Sequence, residues 1–265
     1  MIDWLTLRLD LHKITDDDLE TIRGGFNRVI CVDPAGEIVW QSLKRESLRS
    51  DTHRLTVYLG HDFEIAGSPA RIGNPNNVFG SGDPVYCAAA MIQTVNDSLG
   101  LSLPVVAHVW RATRMDVTQN YDMGGPVEVK QALSYLRHSE SGRYQVRTKH
   151  ETVYWSPASA MRCGKAYHKG PHLLYQQKKG DASATPEELN LADRLLRLEL
   201  ALRAQFWRER SLKPWHSFTE TELNQIHYEF FSYVCGKVEV EPVDDLLAKC
   251  EEIGRSTRLN SSHRP

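Results

Sequence analysis

The sequence predicts an α+β fold built on a mostly antiparallel central sheet with flanking helices. Strand-like and helix-like segments intermix along the 265 residues without the regular strand–helix–strand repeat that produces a parallel sheet. Two hydrophobic runs are separated by the turn sequence PAG, which is typical of a hairpin and therefore of antiparallel pairing. The third observation is the stretch LRLELALR, residues 196–203, in which the leucines alternate and so lie on one face of a strand.

The first seventy residues carry mainly strand patterns. Apolar and polar residues alternate with the period of a half-buried strand in three stretches, and the PAG turn joins the two arms of the hairpin. The segment between residues 69 and 84 is dense in Gly, Pro and Asn, which predicts an irregular loop. The predicted strands are 5–10, the hairpin at 28–42, 54–60 and 62–69.

Helices are predicted where capping residues flank a suitable segment. Over residues 83–100, Asp83 suits the N-cap, a proline follows in the first turn, and Gly100 suits the stop. Thr185 is a second N-cap, because Glu188 follows three residues later. The remaining predicted helices are 126–138, 219–234 and a short one at 204–210.

The second half also contains strands. Residues 104–122 are rich in β-branched side chains, which predicts a long central strand. The alternating stretch described above is predicted to extend over 196–204. Two shorter strands are predicted at 143–148 and 152–156.

Composition restricts the possible partners and compartments. The net charge is −2, so any contact with nucleic acid has to come from local clusters of Lys and Arg, which occur at 143–179 and 194–213. The five cysteines form no C-x-x-C pair, so neither a disulfide framework nor a zinc knuckle is expected, and a reducing cytoplasm fits. No apolar run approaches the roughly 20 residues that a membrane span needs.

Three carboxylates on predicted strands are candidate metal ligands. Asp116 shares a strand face with Arg114, Thr118 and Asn120, and burying its charge requires a partner. The partner is either an arginine, Arg114 or Arg111, or a divalent cation. Glu64 and Glu199 raise the same alternative: the three form a site for Mg²⁺ or Mn²⁺, or each makes a separate surface ion pair.

Tyr167 lies among cationic and histidine side chains in GKAYHKGPHLLYQQKK, residues 164–179. A phenol with a pKa near ~10 is a poor nucleophile at neutral pH unless cations or a base favour the phenolate. Tyr167 is therefore either an ordinary packed tyrosine beside a solvated basic segment or a nucleophile that attacks a phosphate. The neighbouring side chains are Lys165, His168, Lys169 and His172.

Several motifs now resemble one known family. The chain is similar to the replication initiators of filamentous phages, rolling-circle strand-nicking endonucleases related to the HUH Rep proteins, and the resemblance covers residues 1 to about 215. It implies an HUH/Rep-like fold with a ferredoxin-like or RRM-like palm. The motifs are FEIAGSPARIGNPNNVFG (63–80), TRMDVT (113–118), TVYW with KAYHKGPHL (152–173) and LRLELALR (196–203).

The resemblance implies roles for individual residues. Tyr167 matches the nucleophile that attacks the scissile phosphodiester, and Lys169 matches the lysine that supports the phosphate charge. Asp116 matches an acidic residue that is a plausible ligand of catalytic Mg²⁺ or Mn²⁺, and Glu64 and Glu199 fall on family positions where we expect further ligands. The expected DNA contacts are Arg114, Lys165, His168, His172, Arg197 and Arg203.

The resemblance also implies partners: single-stranded or supercoiled origin DNA, with host helicase and polymerase, in the cytoplasm of a bacterial host and without a membrane.

Two departures from the family pattern favour an alternative, a non-catalytic origin-DNA-binding protein on the same scaffold. Asn76 stands where family members often carry histidine, and His172 stands in place of a glutamate. A third possibility, an interaction protein with no DNA role, is opposed by the basic 143–213 region.

Three parts of the chain are distinguished. Residues 1–215 are expected to form the nicking endonuclease domain, and 216–253 the start of a helical carboxy-terminal region that is truncated here. Residues 254–265 are polar, lack periodicity and resemble a translated sequencing adapter, so we expect them to be non-native.

Overall fold

In the computed structural model, which describes residues 1–50, 53–139 and 144–236, the chain forms eleven strands and seven α-helices. The predicted tail at 254–265 and residues 237–253 of the predicted region at 216–253 lie outside the described residues. The strands are β1 (Ile2–Asp10), β2 (Arg28–Val32), β3 (Ile38–Leu43), β4 (Glu46–Ser50), β5 (His53–Leu59), β6 (Asp62–Gly67), β7 (Arg111–Asp122), β8 (Val146–Lys149), β9 (Thr152–Trp155), β10 (Arg162–His168) and β11 (Leu195–Arg203). The helices are α1 (Asp16–Gly25), α2 (Pro84–Leu99), α3 (Pro126–Leu136), α4 (Lys169–Lys178), α5 (Pro186–Ala192), α6 (Ala204–Glu209) and α7 (Glu220–Cys235).

Nine of these strands form one sheet, and every pair of neighbours in it is antiparallel. The order is β4-β5-β6-β1-β7-β11-β10-β9-β8, and β2 and β3 form a separate two-stranded ribbon. The predicted α+β class with a mostly antiparallel central sheet is confirmed. Because β1, β7 and β11 lie in the middle, most of their side chains are at least partly buried.

One face of the sheet packs against the main hydrophobic core. The alternating leucines of β1 and β11 point into this core, where they meet buried apolar side chains of α1, α2, α3 and α7. The sequence LRLELALR therefore forms the strand that its alternation predicts. Helix α7 begins after residue 215, yet Leu223 and Phe230 belong to the same core as the strands.

The opposite face carries the polar side chains and a smaller apolar cluster. This cluster consists of Val78, Leu173 of α4, Ala182, Ala192 of α5 and Leu195 of β11. The segment 72–82, α4 and α5 thus lie on the polar side of the sheet, above the ends of β10 and β11.

The cap predictions are confirmed at both signalled helices. The Asp83 side chain accepts hydrogen bonds from the backbone N–H groups of Val85 and Tyr86, and Gly100 ends α2 with φ +66°. Thr185 and Glu188 form a reciprocal capping box at the start of α5. Both caps can be predicted from sequence because each is formed by residues only a few positions apart in the chain.

The long strand predicted at 104–122 begins only at Arg111. The indole N–H of Trp110 donates to the carbonyl of Pro104 at 2.8 Å, which folds residues 104–110 back on themselves. β-branched composition alone gave no sign of this local bond. Among the described residues, none of the helices has the length and apolarity required to cross a bilayer.

Candidate active site

Three neighbouring strands bring the predicted catalytic side chains onto the polar face of the sheet. In the register of β10 and β11, Tyr167 lies opposite Arg197 and Lys165 lies opposite Glu199. Glu199 is in turn opposite Thr118 of β7. Because alternate residues of a strand share a face, these side chains converge on one patch.

A chain of hydrogen bonds joins Tyr167, Glu199 and Lys165 within this patch. The hydroxyl of Tyr167 donates to Oε1 of Glu199, and Nζ of Lys165 donates to Oε2 at 2.7 Å. Lys165 Nζ also lies 4.1 Å from the centre of the Tyr167 ring. On the other side, the ring of His172 packs edge-on at 4.9 Å between centroids. The tyrosine is therefore held in one orientation with its hydroxyl on a carboxylate.

The electrostatics keep the proton on the phenol in this state. Burial, and then the charge of Glu199, raises the pKa of Tyr167 well above 10. Burial opposes ionisation of Glu199 too, but Lys165 and Arg197 outweigh it and hold the pKa of that carboxyl well below its usual range. We expected the surrounding cations to favour phenolate, and the structure differs because desolvation dominates when only 3% of the tyrosine is exposed.

Lys169, the first residue of α4, lies in the interior beside this patch. Its side chain is fully buried, and Nζ donates to Oδ1 of Asn77 at 2.7 Å. Burial, followed by the charge of Arg197, lowers the pKa of Lys169 to about 7. This amine therefore changes its charge near neutral pH.

The titration of Lys169 gives a testable pH dependence of stability. The pKa of Lys169 is about 7 in the folded chain and 10.5 ordinarily. Between these two pH values the unfolded chain holds a proton that the folded chain lacks, so this side chain's contribution to the free energy of unfolding rises with pH. The variant Lys169→Met loses this contribution. We expect the difference in unfolding free energy, variant minus wild type, to fall by up to about 1.4 kcal/mol per pH unit across this window. Denaturant titrations at several pH values measure it, and parallel curves would contradict the lowered pKa.

Segment 76–78 covers the patch and is fixed to it by Arg197. This arginine is fully buried: Nε donates to Oδ1 of Asn120 at 2.7 Å, and Nη2 donates to the carbonyls of Asn77 at 2.6 Å and Val78 at 2.9 Å. Asn76 donates to the carbonyl of Ser183 at 3.2 Å and accepts from the backbone N–H of Val78 at 3.1 Å. In this chain Asn76 therefore has a structural role in shaping the segment.

Asp3 and Asn77 belong to the site although they were missed in the sequence. Asp3 lies at a register irregularity of β1, its Oδ1 accepts from Nδ2 of Asn77 at 2.7 Å, and it lies 3.7 Å from Nη1 of Arg197. The available signals were weak: an acidic residue in the apolar opening MIDWL and an asparagine in a loop. Neither signal indicates the partner, because the two residues are 74 positions apart.

The structure brings together two of the three predicted metal ligands. Asp116 lies opposite Ala201, two residues along β11 from Glu199 and on the same face. Glu64 lies on β6 opposite Arg8 of β1, whereas Asp116 lies opposite Trp4 of the same strand. These two positions on β1 are four residues apart, so Glu64 and Asp116 are separated by roughly 13 Å along the strand direction. The side chain of Glu64 pairs instead with Arg8 at 2.8 Å and Arg45 at 2.5 Å.

Asp116 and Glu199 are also engaged with cations. Both oxygens of Asp116 accept from Arg114, at 2.8 and 2.6 Å. Burial raises the pKa of Asp116 above its ordinary value, although Arg114 opposes the shift. Within the described ranges no group of three His, Cys, Asp or Glu side chains is arranged to hold a metal ion. The residues as placed do not fit a three-carboxylate metal centre.

Most of the predicted DNA contacts are used inside the protein. His168 is buried and its Nε2 lies 2.8 Å from the carbonyl of Asp193. Arg203 donates to the carbonyls of Pro157 at 3.0 Å and Ser159 at 2.6 Å. Burial, and then the charge of Lys169, lowers the pKa of His172 to about 4, so its ring is neutral. Arg197 is buried as described above, which leaves Arg114 and Lys165 partly exposed.

Comparison with known proteins identifies relatives of the chain. The Replication-associated protein of Enterobacteria phage M13 is 24% identical over 163 residues, which is 54% of this chain and 40% of that protein. The Replication-associated proteins of Enterobacteria phages fd and f1 match with the same identity and coverage. The match thus spans less than half the length of these curated relatives.

A solved structure and a family model extend the comparison. A rolling circle replication initiator protein from Geobacillus stearothermophilus matches with a TM-score of 0.33 and 13% identity, covering 77% of this chain and 73% of that one, and a likeness of this size carries no argument. The family model that describes the N-terminal part of the phage Replication-associated protein matches residues 1–221. Since this match includes every strand of the sheet and the whole polar patch, the chain belongs to the phage Replication-associated protein N-terminal family.

Proposed function

We propose that the chain nicks one strand of a phage or plasmid replication origin through a phosphotyrosine intermediate and so starts rolling-circle replication. The observation that carries the proposal is the hydrogen bond from the Tyr167 hydroxyl to Glu199, whose other oxygen is held by Lys165. In this proposal Tyr167 is the nucleophile, Glu199 is the proton acceptor beside it, and Lys165 fixes the position of Glu199. Family membership supplies the replication context.

The proposed step forms one bond and breaks one. Oη of Tyr167 transfers its proton to Oε1 of Glu199 and attacks the scissile phosphorus, which forms a tyrosine–phosphate ester. The bond from phosphorus to the 3′-oxygen breaks, and this oxygen takes a proton from solvent to become a 3′-hydroxyl. The ester retains the capacity for strand rejoining, because the 3′-hydroxyl can reverse the attack.

The charges around Tyr167 suit a phosphate. Four cationic side chains, those of Arg114, Lys165, Lys169 and Arg197, surround three carboxylates, those of Asp3, Asp116 and Glu199. Below about pH 7, where Lys169 is protonated, the cations exceed the carboxylates by one charge, and this excess favours an incoming phosphodiester and the additional charge of the transition state. Burial strengthens these interactions because the local dielectric constant is low.

The step requires that DNA uncover the Tyr167 hydroxyl. Only 3% of this residue is exposed, and Arg197 and Lys169 hold segment 76–78 over the same patch through Asn77 and Val78. A phosphate that approaches Arg197 can replace the two backbone carbonyls as hydrogen-bond acceptor. We infer that this exchange releases the segment and opens the site.

A divalent cation, Mg²⁺ or Mn²⁺, remains a prediction of the family resemblance. We expect formation of the covalent protein–DNA adduct in Mg²⁺ or Mn²⁺ and its loss in EDTA, together with loss of cleavage in Asp116→Ala. The measurement is the yield of adduct on a denaturing gel, with and without EDTA, for wild type and Asp116→Ala. Equal yields in EDTA would dismiss the metal while leaving the assignment of Tyr167 intact.

The second candidate function is origin-DNA binding without catalysis, which the burial of Tyr167 and the residues Asn76 and His172 favour. Incubation with single-stranded phage-type origin DNA and Mn²⁺ distinguishes the two, because only the enzyme produces a covalent band that survives denaturation. Association with host helicase and polymerase stays a prediction of the same resemblance.

A further inference from the structure

The hairpin of β8 and β9 has one buried apolar face and one exposed basic face. Val153 and Trp155 are fully buried and belong to the main core. Their strand neighbour Tyr154 points the other way and lies opposite Arg147, while Lys149 lies opposite Thr152. Arg147, Lys149 and Tyr154 therefore share the polar side of the sheet, and we refer to these three residues as the hairpin face.

Among the described residues, no acidic side chain neutralises the charge of the hairpin face. Arg147 and Lys149 are exposed, and in the part of the chain that the structure describes neither forms an ion pair with an acidic side chain. The acidic residue of the hairpin, Glu151, lies in the turn, outside both strands. These cations differ in this respect from Arg203 and Arg197, which bind protein carbonyls. They are free to meet phosphates.

The hairpin face lies next to Tyr167, the proposed nucleophile, on the same side of the sheet. Arg147 lies opposite Tyr154, Tyr154 opposite Lys165, and Lys165 opposite Glu199, so the four residues form one row across four adjacent strands. With strands about 4.8 Å apart, the Cα atoms of Arg147 and Lys165 are separated by roughly 10 Å. Tyr167 is two residues further along β10 and on the same face.

We propose that the hairpin face is the path by which single-stranded DNA reaches Tyr167, with Tyr154 as a stacking platform for a base and Arg147 and Lys149 as phosphate contacts. The inference rests on the proposed function, since it deepens the DNA recognition of the same site. An aromatic ring flanked by unpaired cations on an open sheet surface matches the chemistry that binds single strands without reading their sequence. The half-buried Tyr154 has little conformational freedom left to lose on stacking.

Equilibrium binding of a fluorescent single-stranded oligonucleotide, measured in EDTA over a range of salt concentrations, tests the hairpin face. For Arg147→Gln combined with Lys149→Gln, we expect the slope of log K against log salt to become shallower by about 1.4, since each lost phosphate contact contributes about 0.7. For Tyr154→Ala we expect binding to weaken about 5- to 150-fold, while Tyr154→Phe stays within about 3-fold of wild type.

The matched control is Lys130→Gln combined with Arg137→Gln, which replaces an exposed cation of α3 and the exposed C-cap residue that follows it; α3 packs on the opposite side of the sheet. This control should keep the wild-type slope, and thermal melting verifies that all variants fold.

A wild-type slope in the hairpin double variant, or wild-type affinity in Tyr154→Ala, overturns the proposal that single-stranded DNA follows the hairpin face. If binding depends on the hairpin face but no covalent adduct ever forms, the path stands and the nicking function fails. If the adduct forms while the hairpin variants bind like wild type, the nicking function stands and the path fails.

Discussion

Replacement of Tyr167 by phenylalanine is expected to abolish both nicking of supercoiled origin DNA and the covalent protein–DNA adduct, a loss of about 10³-fold or more. The substitution removes only the hydroxyl that donates to Glu199, so the ring keeps its contacts with Lys165 and His172. Binding of single-stranded DNA should remain within about 3-fold of wild type, because the cations of the site are unchanged.

The control for this experiment is Tyr175→Phe. Tyr175 lies in the next helix, α4, and is an exposed tyrosine whose ring lies under Lys179. Its variant should nick at the wild-type rate. A Tyr167→Phe protein that still forms the adduct would show that another side chain is the nucleophile.

Replacement of Glu199 by glutamine should slow nicking by about 10²- to 10⁴-fold, since the amide cannot accept the proton of Tyr167. The pH profile separates this role from a structural one. In the variant the phenol has to lose its proton to solvent, so the rate should rise about tenfold per pH unit on the alkaline side. A variant that is slow at every pH by the same factor would contradict proton acceptance by Glu199.

Glu64→Gln provides the matched comparison, because Glu64 is the predicted metal ligand that lies apart from Glu199. It forms ion pairs with Arg8 of β1 and with Arg45, which directly precedes β4. We expect Glu64→Gln to nick within about 3-fold of wild type, as is usual for loss of a partly exposed ion pair. A loss as large as that of Glu199→Gln would instead support the three-carboxylate metal site.

Local signals in the sequence were sufficient for much of the fold. The alternation of LRLELALR places Arg197 and Glu199 on the face opposite the leucines, and the caps of α2 and α5 are satisfied by residues two or three positions away. Periodicity and caps involve only near neighbours in the chain, so sequence is enough to reveal them. The mostly antiparallel sheet follows from the lack of a regular strand–helix–strand repeat and from the hairpin turn.

Four elements are absent from the predicted list: β4, β10, α4 and α1. Strand β10, which carries Tyr167, is buried on both faces, so apolar and polar residues do not alternate in it. The first turn of helix α4 contains Gly170 and a proline, which resemble a break; a Cβ on Gly170 would lie only 2.7 Å from the Cα of Asp193, so glycine permits close packing there. Helix α1 does carry a start signal, since Thr15 caps it and three aspartates occupy its first turn, but it is not among the predicted helices.

The site itself was only partly predictable for a related reason. The residue types were identified, but the contacts depend on strand register: Tyr167 meets Glu199 across 32 positions and Lys169 meets Asn77 across 92. Register also decides which cations remain free. It turns Arg203 towards protein carbonyls and leaves Arg147 and Lys149 facing outwards.

Mass mapping of the covalent adduct tests the central claim most directly. The wild-type chain is incubated with single-stranded origin DNA and Mn²⁺, digested with nuclease and protease, and its peptides are sequenced by mass spectrometry. We predict a nucleotide attached through its 5′-phosphate to Tyr167, on the peptide between Lys165 and Lys169. An adduct on any other residue, or none from DNA that is demonstrably bound, would contradict the claim that this hydroxyl is the nucleophile.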